Sequence, residues 1–193
     1  MKKIIIKGYF MANIYCTKKL EKLIGKKNMA ANPSENLLGN WNANIFTFKQ
    51  RKCLILVNEE TYYSVLFLDV LKADILNFHH LFYERLIEQL TYDHIHFPHE
   101  YSPKILNDLQ PIFLPTNNNR RILGVMNQFI SDTVFHIDYF FEGKLADVDV
   151  SFINNKLTTD LVKALMVKGE GDTWTNGQPI TAMKTKISEC CHP

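Results

Sequence analysis

The stretch NWNANIFTFKQRKCLILVNEETYYSVLFLD, residues 40–69, decides the fold of this chain. It contains three apolar runs of strand character, 40–49, 52–58 and 62–69, separated only by QR and EET. Linkers this short join antiparallel neighbours, so the stretch predicts a β-meander. The middle run is apolar on both faces from Leu54 to Val57, which predicts a central strand covered on both sides.

Two long segments after the meander have the period of an amphipathic helix. Apolar residues recur at helical spacing over residues 72–91 and again over 118–143, where Gly143 is a natural stop. The predicted fold class is therefore α+β, with a small antiparallel sheet packed by two long amphipathic helices.

The remaining segments complete a single predicted domain. We predict a strand at 12–16, a helix at 17–25 that Thr17 begins and Gly25 ends, an edge strand at 111–116, a strand at 147–154 and a helix at 158–169. The predicted boundaries are an N-terminal extension at 1–11, a domain at 12–168 and a polar C-terminal tail at 169–193.

Composition excludes several classes of protein. The net charge of +2 is too small to imply nucleic-acid binding by itself, so any basic surface must come from local clustering. No apolar run is long enough to span a bilayer, and the chain contains no CxxC motif. We expect a cytoplasmic protein that binds no membrane and needs no cofactor, from an AT-rich bacterial or phage genome.

Four motifs resemble a known pattern: CTKKL (16–20), LGNWNANIF (38–46), RKCLILVNEETYYS (51–64) and RRILGVMNQF (120–129). Their order is similar to that of an uncharacterised bacterial family described as a domain of unknown function, over about residues 12–155. The sequence departs from that pattern at Gln50, where arginine is common, and at Asn42, where an aromatic residue is common. The resemblance implies no established activity, and it favours a link to mobile elements, plasmids or phages.

The stretch TYDHIHFPHEYSP, residues 91–103, raises the question of a metal site. In an extended segment His94 and His96 point to one face, and His99 and Glu100 follow closely, as the ligands of a transition metal would. The alternative is a solvated loop interrupted by prolines. The spacing resembles the first half of a cupin metal motif, but the second half of that motif is missing, which favours the loop.

Basic and amide residues form a second candidate site. Several of them open predicted helices or turns, where the N-terminal N–H groups and arginine side chains suit phosphate or carboxylate. Trp41 could add a stacking face. The candidate ligand-binding residues are Lys18, Lys19, Trp41, Asn44, Arg51, Lys52, Arg121 and Asn127. The alternative is that turns and helix starts are simply polar.

Two further groups have simpler interpretations. Asp132 and His136 are one helical turn apart and are predicted to pair, but no nucleophile motif accompanies them.

The meander contains a group of aromatic residues: Trp41, Phe46, Phe48, Tyr62 and Tyr63. Because no RNA-binding signature is present, a hydrophobic core is the better interpretation of these rings than a base-stacking platform.

The preferred hypothesis is a non-enzymatic binding module for an anionic ligand. That ligand would be a nucleotide or other small anion, a nucleic acid, or an acidic protein surface. The alternative is a metal-dependent hydrolase that uses His94, His96 and His99 to bind a metal and activate water.

Overall fold

The structure is a computed structural model that describes residues 12–34, 36, 38–96, 111–160, 162, 165, 167–168, 174–175 and 177–191. The predicted N-terminal extension, residues 1–11, lies outside the described residues, as does the third histidine of the candidate metal site, His99.

A mixed five-stranded sheet forms the centre of the fold. Its strands are β1 (Ala12–Cys16), β2 (Trp41–Phe48), β3 (Arg51–Asn58), β4 (Ser64–Phe67) and β5 (Pro111–Leu114). They lie in the order β4-β3-β2-β1-β5. The antiparallel meander predicted from residues 40–69 is β2, β3 and β4, whereas β1 runs parallel to both β2 and β5. The α+β class is confirmed, but the sheet is mixed because these parallel strands extend the meander.

Six helices in the described part of the chain pack around this sheet: α1 (Lys18–Ile24), α2 (Lys72–Leu76), α3 (Phe78–Tyr92), α4 (Arg120–Phe141), α5 (Val150–Thr159) and α6 (Pro179–Cys191). The helix predicted over 72–91 is divided at Asn77, and the helix predicted over 118–143 is α4. Short 3-10 turns lie at Lys26–Asn28 and Leu145–Asp147. A small separate ribbon pairs Val167–Lys168 with Trp174–Thr175.

The two faces of the sheet bury two hydrophobic cores. Because strand side chains alternate, β2 directs Trp41, Ala43 and Ile45 to one face and Phe46 and Phe48 to the other. The first face packs against α1, α3 and α6, and the second packs against α4 and α5. As predicted, β3 is central, and all of its residues from Cys53 to Asn58 are buried.

The ends of α4 follow from local chemistry. The side chain of Asn119 accepts a hydrogen bond from the backbone N–H of Ile122 at 3.3 Å, which caps the first turn. At the other end Glu142 and Gly143 have φ of 49° and 67°, and the N–H of Gly143 donates to the carbonyl of Ile137. Gly143 therefore ends the helix as predicted.

The prediction of a strand at 147–154 was wrong, because this segment contributes the first half of α5. The carboxylate of Asp149 caps the helix by accepting from the N–H of Phe152 at 3.0 Å. Ile153 and Leu157, one turn apart, are fully buried in the second core. Apolar and polar residues alternate over a few positions here, as they do in a strand. The helical spacing of the apolar residues is visible only over the longer segment. The helix predicted at 158–169 overlaps α5 only at its last two residues.

Residues 179–191, which the sequence analysis placed in a polar tail, form α6. Met183 and Ile187 are one turn apart and 0% and 2% exposed, and both belong to the first core. Polar residues around them hid this narrow apolar stripe.

Polar side chains cover the edge strand β4. Ser64 and Asn154 of α5 exchange two hydrogen bonds, from the Ser64 hydroxyl to Asn154 Oδ1 and from Asn154 Nδ2 to the Ser64 carbonyl, both at 2.9 Å. Arg85 Nε of α3 donates to the carbonyl of Leu66 at 3.2 Å. These contacts use main-chain groups that an exposed edge would offer to other chains.

Candidate functional site

A carboxylate surrounded by asparagine side chains lies where β3 ends and α4 begins. Glu59 Oε1 accepts from Asn42 Nδ2 at 2.8 Å and Asn117 Nδ2 at 2.5 Å, with Asn119 Nδ2 at 3.5 Å. Glu59 Oε2 accepts from Asn40 Nδ2 at 3.2 Å. We call these five residues the Glu59 cluster. It joins the meander to the loop that precedes α4.

The Glu59 cluster changes the interpretation of the α4 N-terminus. A helix N-terminus attracts anions, and the sequence therefore predicts that this one binds an external phosphate or carboxylate. The carboxylate of Glu59 already lies beside it, held by the amides of Asn117 and Asn119. An anionic ligand placed directly on the helix axis would therefore meet a fixed negative charge.

Arg121 lies on the other side of this helix start. Its guanidinium carbon is 5.7 Å from the centroid of the Tyr62 ring, within the range of a cation–π contact. Burial raises the pKa of Tyr62, and the neighbouring charge of Arg121 acts in the opposite direction. Arg121 is itself exposed, so its charge faces solvent at the edge of the Glu59 cluster.

A second joint connects α1 to the loop 115–119. The carboxylate of Glu21 accepts from the backbone N–H of Thr116 at 2.7 Å and from Lys18 Nζ at 3.1 Å. The Thr116 hydrogen bond is the largest cause of a lowered pKa for Glu21. Thr17 stands at the N-cap of α1, but its hydroxyl donates to Asn44 Oδ1 at 3.0 Å instead of capping the helix.

This joint places two groups of basic residues at the same end of the sheet, with α1 on its first face and α4 on its second face. Arg120 lies four positions after Thr116, so their Cα atoms are at most about 14 Å apart. We define the basic surface by seven exposed side chains on α1, the following 3-10 turn and the start of α4: Lys18, Lys19, Lys22, Lys26, Lys27, Arg120 and Arg121. Exposed amides of Asn117 and Asn118 lie between the two groups along the chain.

Other predicted ligand-binding residues lie apart from the basic surface. Arg51 pairs with Phe48 in the sheet and forms an ion pair with Asp69 at 3.4 Å, while Lys52 is exposed beside it. Phe48 and Trp41 are the two ends of β2, about 23 Å apart at the usual rise per strand residue. Arg51 and Lys52 therefore lie at the opposite end of the β2–β3 hairpin from the Glu59 cluster.

The predicted stacking role of Trp41 does not agree with its position. Trp41 is 0% exposed and packs edge-on against Phe82 of α3, with ring centroids 5.4 Å apart. The interpretation of the meander aromatics as core is confirmed, since Phe46, Phe48, Tyr62 and Tyr63 are buried too. Asn127 is exposed on α4, about 10 Å along the helix from Arg120.

The candidate metal ligands are only partly described. His94 and His96 are both exposed, with buried Ile95 between them, but His94 has a φ of 54°, so the extended segment that would direct both side chains to one face is not formed there. Within the described residues no group of three His, Cys, Asp or Glu side chains could hold a metal ion. The proposed third ligand, His99, lies outside them, and the metal site stays a prediction.

The predicted pairing of Asp132 with His136 was wrong. Asp132 Oδ1 accepts from Gln128 Nε2 at 2.8 Å, one turn before it on α4. His136 lies instead between the rings of Phe135 and Phe140, at 5.6 and 5.7 Å, and neither of its buried ring nitrogens has a hydrogen-bond partner. This arrangement supplies no oriented general base.

A shallow cleft of about 350 Å³ separates the turn after β3 from α6. Its lining residues are Glu60, Thr61, Leu165, Thr181, Ala182, Thr185, Lys186 and Glu189. Its lysine, Lys186, already forms an ion pair with Glu60. Because the remaining charged lining residue, Glu189, is acidic, the cleft does not suit an anionic ligand.

Sequence reasoning missed the acidic members of this region. Glu21 is the one acid in a lysine-rich helix, and Glu59 stands in the turn NEET, where an acidic residue is ordinary. Neither glutamate could be recognised from its neighbours in sequence, because the hydrogen-bond partners of Glu21 and Glu59, Thr116 and Asn117, are 95 and 58 residues away. The three consecutive asparagines before Arg120 were the only visible hint.

Fold and site together define an α+β domain with a mixed sheet and a lysine- and arginine-rich surface at one end. The chain belongs to the family described as a domain of unknown function, DUF6933, whose model matches residues 13–173. No curated protein and no solved structure matches the chain. Within the described residues no helix is both long and apolar enough to cross a membrane. The association with mobile elements stays a prediction.

Proposed function

We propose that this chain is a non-enzymatic binding module that contacts the phosphate backbone of a nucleic acid through the basic surface. The observation that carries the proposal is the concentration of charge. Seven exposed cationic side chains lie on two short segments, α1 with the turn after it and the start of α4, and the hydrogen bond from Thr116 to Glu21 connects these segments. The net charge of the whole chain is only +2. Such local clustering favours phosphate binding by counterion release.

Side-chain chemistry favours nucleic acid over an acidic protein as the partner. The apolar residues of α1 point inward, where Leu20 and Ile24 are 1% and 5% exposed. Protein interfaces usually have an apolar or aromatic centre, whereas phosphate contacts come from lysine, arginine and amide side chains. The exposed side chain of Asn118, beside Arg120 and Arg121, fits the second description.

The test is fluorescence anisotropy with labelled single-stranded and duplex oligonucleotides. We expect a dissociation constant of about 10⁻⁴–10⁻⁶ M that rises steeply between 50 and 200 mM salt, roughly as for other sequence-independent binders. The triple variant Lys18→Ala, Lys19→Ala, Lys22→Ala should weaken binding about tenfold or more and flatten the salt dependence, since each phosphate contact contributes to the slope.

The matched control removes three exposed lysines elsewhere: Lys52→Ala, Lys72→Ala and Lys184→Ala. It changes the net charge equally, so any general electrostatic effect appears in both variants. Equal loss of affinity in the two triple variants, or no salt-dependent binding by the unmodified chain, would overturn the proposal.

The variant Arg120→Ala, Arg121→Ala tests whether both ends of the loop 115–119 belong to one surface. It should weaken binding even though these arginines are nearly a hundred residues from the lysines in sequence. Unchanged affinity would restrict the binding surface to α1 and the turn that follows it.

A further inference from the structure

The basic surface consists of two groups of cations on opposite faces of the sheet. The lysine group lies on α1 and the turn after it, and α1 packs on the first face. The arginine group, Arg120 and Arg121, opens α4, which packs on the second face. Both helices contact β2, so the sheet lies between them. Since packed layers are about 10 Å apart, the axes of the two helices are about 20 Å apart across the sheet.

The path between the two groups contains carboxylates. On the side of α1, Glu21 accepts from the N–H of Thr116 at 2.7 Å, and Lys18 partly offsets its charge. On the side of α4, Glu59 accepts from the neutral amides of Asn117 and Asn119. A single row of phosphates running from the lysines to the arginines would pass these negative charges, which oppose it. The two groups therefore suit two separate rows of phosphates.

The exposed rings of the described residues lie away from the basic surface. Phe135 of α4 is about 22 Å along the helix from Arg120, and Tyr139 and Phe140 lie beyond it. The ring beside Arg121 belongs to Tyr62, which is only 4% exposed. Proteins that bind single strands stack unpaired bases on exposed rings. Phosphate contacts without such rings suit a duplex, whose bases are already paired and stacked.

We propose that the ligand of the basic surface is a double-stranded nucleic acid, with the lysine group on the phosphates of one strand and the arginine group on those of the other. This inference rests on the proposed function. The loop that precedes α4, with the exposed side chain of Asn118, then faces the groove between the two rows. Grooves of a duplex are about 6–12 Å wide, and long cationic side chains on helices about 20 Å apart can border one.

The probe is a labelled DNA duplex of about 20 base pairs in which one strand carries neutral methylphosphonates in place of phosphates. A module that contacts one row keeps all its contacts by using the other strand, whereas a module that contacts both rows loses one group of contacts. We expect the unmodified chain to bind this duplex about tenfold or more weakly than the fully charged duplex in fluorescence anisotropy at about 100 mM salt.

The variant Arg120→Ala, Arg121→Ala separates the loss of contacts from the general loss of charge. It retains only the lysine group, so neutralising one strand should weaken its binding by no more than about threefold, through the lower charge density of the probe. The matched control Lys52→Ala, Lys72→Ala removes two exposed charges elsewhere and should lose about tenfold, as the unmodified chain does.

The outcomes distinguish this inference from the proposed function. Equal losses in the unmodified chain and the arginine variant would overturn the two-row contact and leave the proposed function standing. Tighter binding to the isolated charged strand than to the duplex would do the same. Absence of salt-dependent binding to every oligonucleotide would overturn both. Duplex RNA with one neutralised strand is the second arm, and a tenfold loss on either duplex supports the two-row contact and identifies the duplex that is bound.

Discussion

Tyr63 connects three separate elements through one hydroxyl group. Its Oη donates to Asp93 Oδ2 at 2.5 Å, and the other carboxylate oxygen of Asp93 accepts from Asn155 Nδ2 at 2.7 Å and Gln89 Nε2 at 3.2 Å. Tyr63 precedes β4, Gln89 and Asp93 belong to the end of α3, and Asn155 belongs to α5. The donors satisfy a carboxylate that is only 7% exposed.

The substitution Tyr63→Phe should lower the free energy of unfolding by about 1–3 kcal/mol at pH 8, because Asp93 loses one buried donor. Burial raises the pKa of Tyr63 above its usual value, and the nearby charge of Asp93 adds to this shift. The folded state therefore holds the hydroxyl proton more tightly than the unfolded state, whose pKa is about 10.

The stabilisation from Tyr63 is thus complete below pH 10 and declines above it, by up to about 1.4 kcal/mol per pH unit. Urea unfolding of both proteins from pH 8 to 11 checks this. The difference in the free energy of unfolding between the unmodified chain and the Tyr63→Phe variant should be constant up to about pH 9.5 and then become smaller. A difference that persists unchanged to pH 11 would contradict the role assigned to the hydroxyl.

At the scale of elements, the loop 115–119 positions the two halves of the basic surface. The loop follows β5, and the N–H of Thr116 donates a hydrogen bond to Glu21 of α1. Near the start of α4, the side chains of Asn117 and Asn119 donate to Glu59. Neither contact belongs to regular secondary structure. The position of Arg120 and Arg121 relative to the lysines of α1 depends on these side-chain bonds.

The substitution Glu21→Gln should weaken the contact between this loop and α1, because a neutral amide oxygen is a weaker acceptor for the Thr116 N–H than a carboxylate. The lowered pKa of Glu21 means that its contribution to stability is present above the unfolded pKa, near 4.5, and is lost as the pH falls through the folded value. We expect a loss of about 1 kcal/mol at pH 7 that diminishes as the pH falls below 4.5 and Glu21 of the folded chain becomes protonated. Hydrogen exchange at the Thr116 amide should become faster.

The control for this substitution is Glu84→Gln, which removes an exposed carboxylate on α3. It should leave both the stability and the Thr116 exchange rate unchanged, since surface substitutions rarely exceed about 0.5 kcal/mol. Equal exchange at Thr116 in Glu21→Gln and in the unmodified chain would show that the loop is held by other contacts.

Local patterns predicted some elements better than others. The meander and α4 were predictable because their apolar residues repeat over many positions and their turns contain suitable residues such as Gly143. The segment that begins α5 was misread because Val148, Val150 and Phe152 alternate over a length too short to separate the two periods. Its cap, Asp149, was the available signal for a helix.

At the scale of the whole molecule, α6 completes the first core. Met183 is 0% exposed, and with Ile187 it contacts the side of the sheet that α1 and α3 also cover. This helix lies at the end of the chain, beyond the matched family region of residues 13–173. Residues 179–191 therefore contribute to the core against which α1, with its lysines of the basic surface, packs.

The substitution Met183→Ala should lower the free energy of unfolding by about 2–5 kcal/mol, because it removes buried side-chain atoms and leaves a cavity. Urea denaturation provides the measurement, with a shift of the midpoint and an unchanged slope. Lys184→Ala, its exposed neighbour, should have almost no effect. If the two variants were equally stable, α6 would not be part of the core.

The sequence by itself determined the fold class, the meander, the central position of β3 and the ends of α4. These depend on repeats and turn residues within one short segment, which act through local sterics and burial of one face. The tertiary structure alone decided the parallel placement of β1 and β5 and the contact of α1 with the loop 115–119, which brings their basic residues to one end of the sheet. Such features depend on partners that are distant in sequence, and a local pattern carries no signal for them.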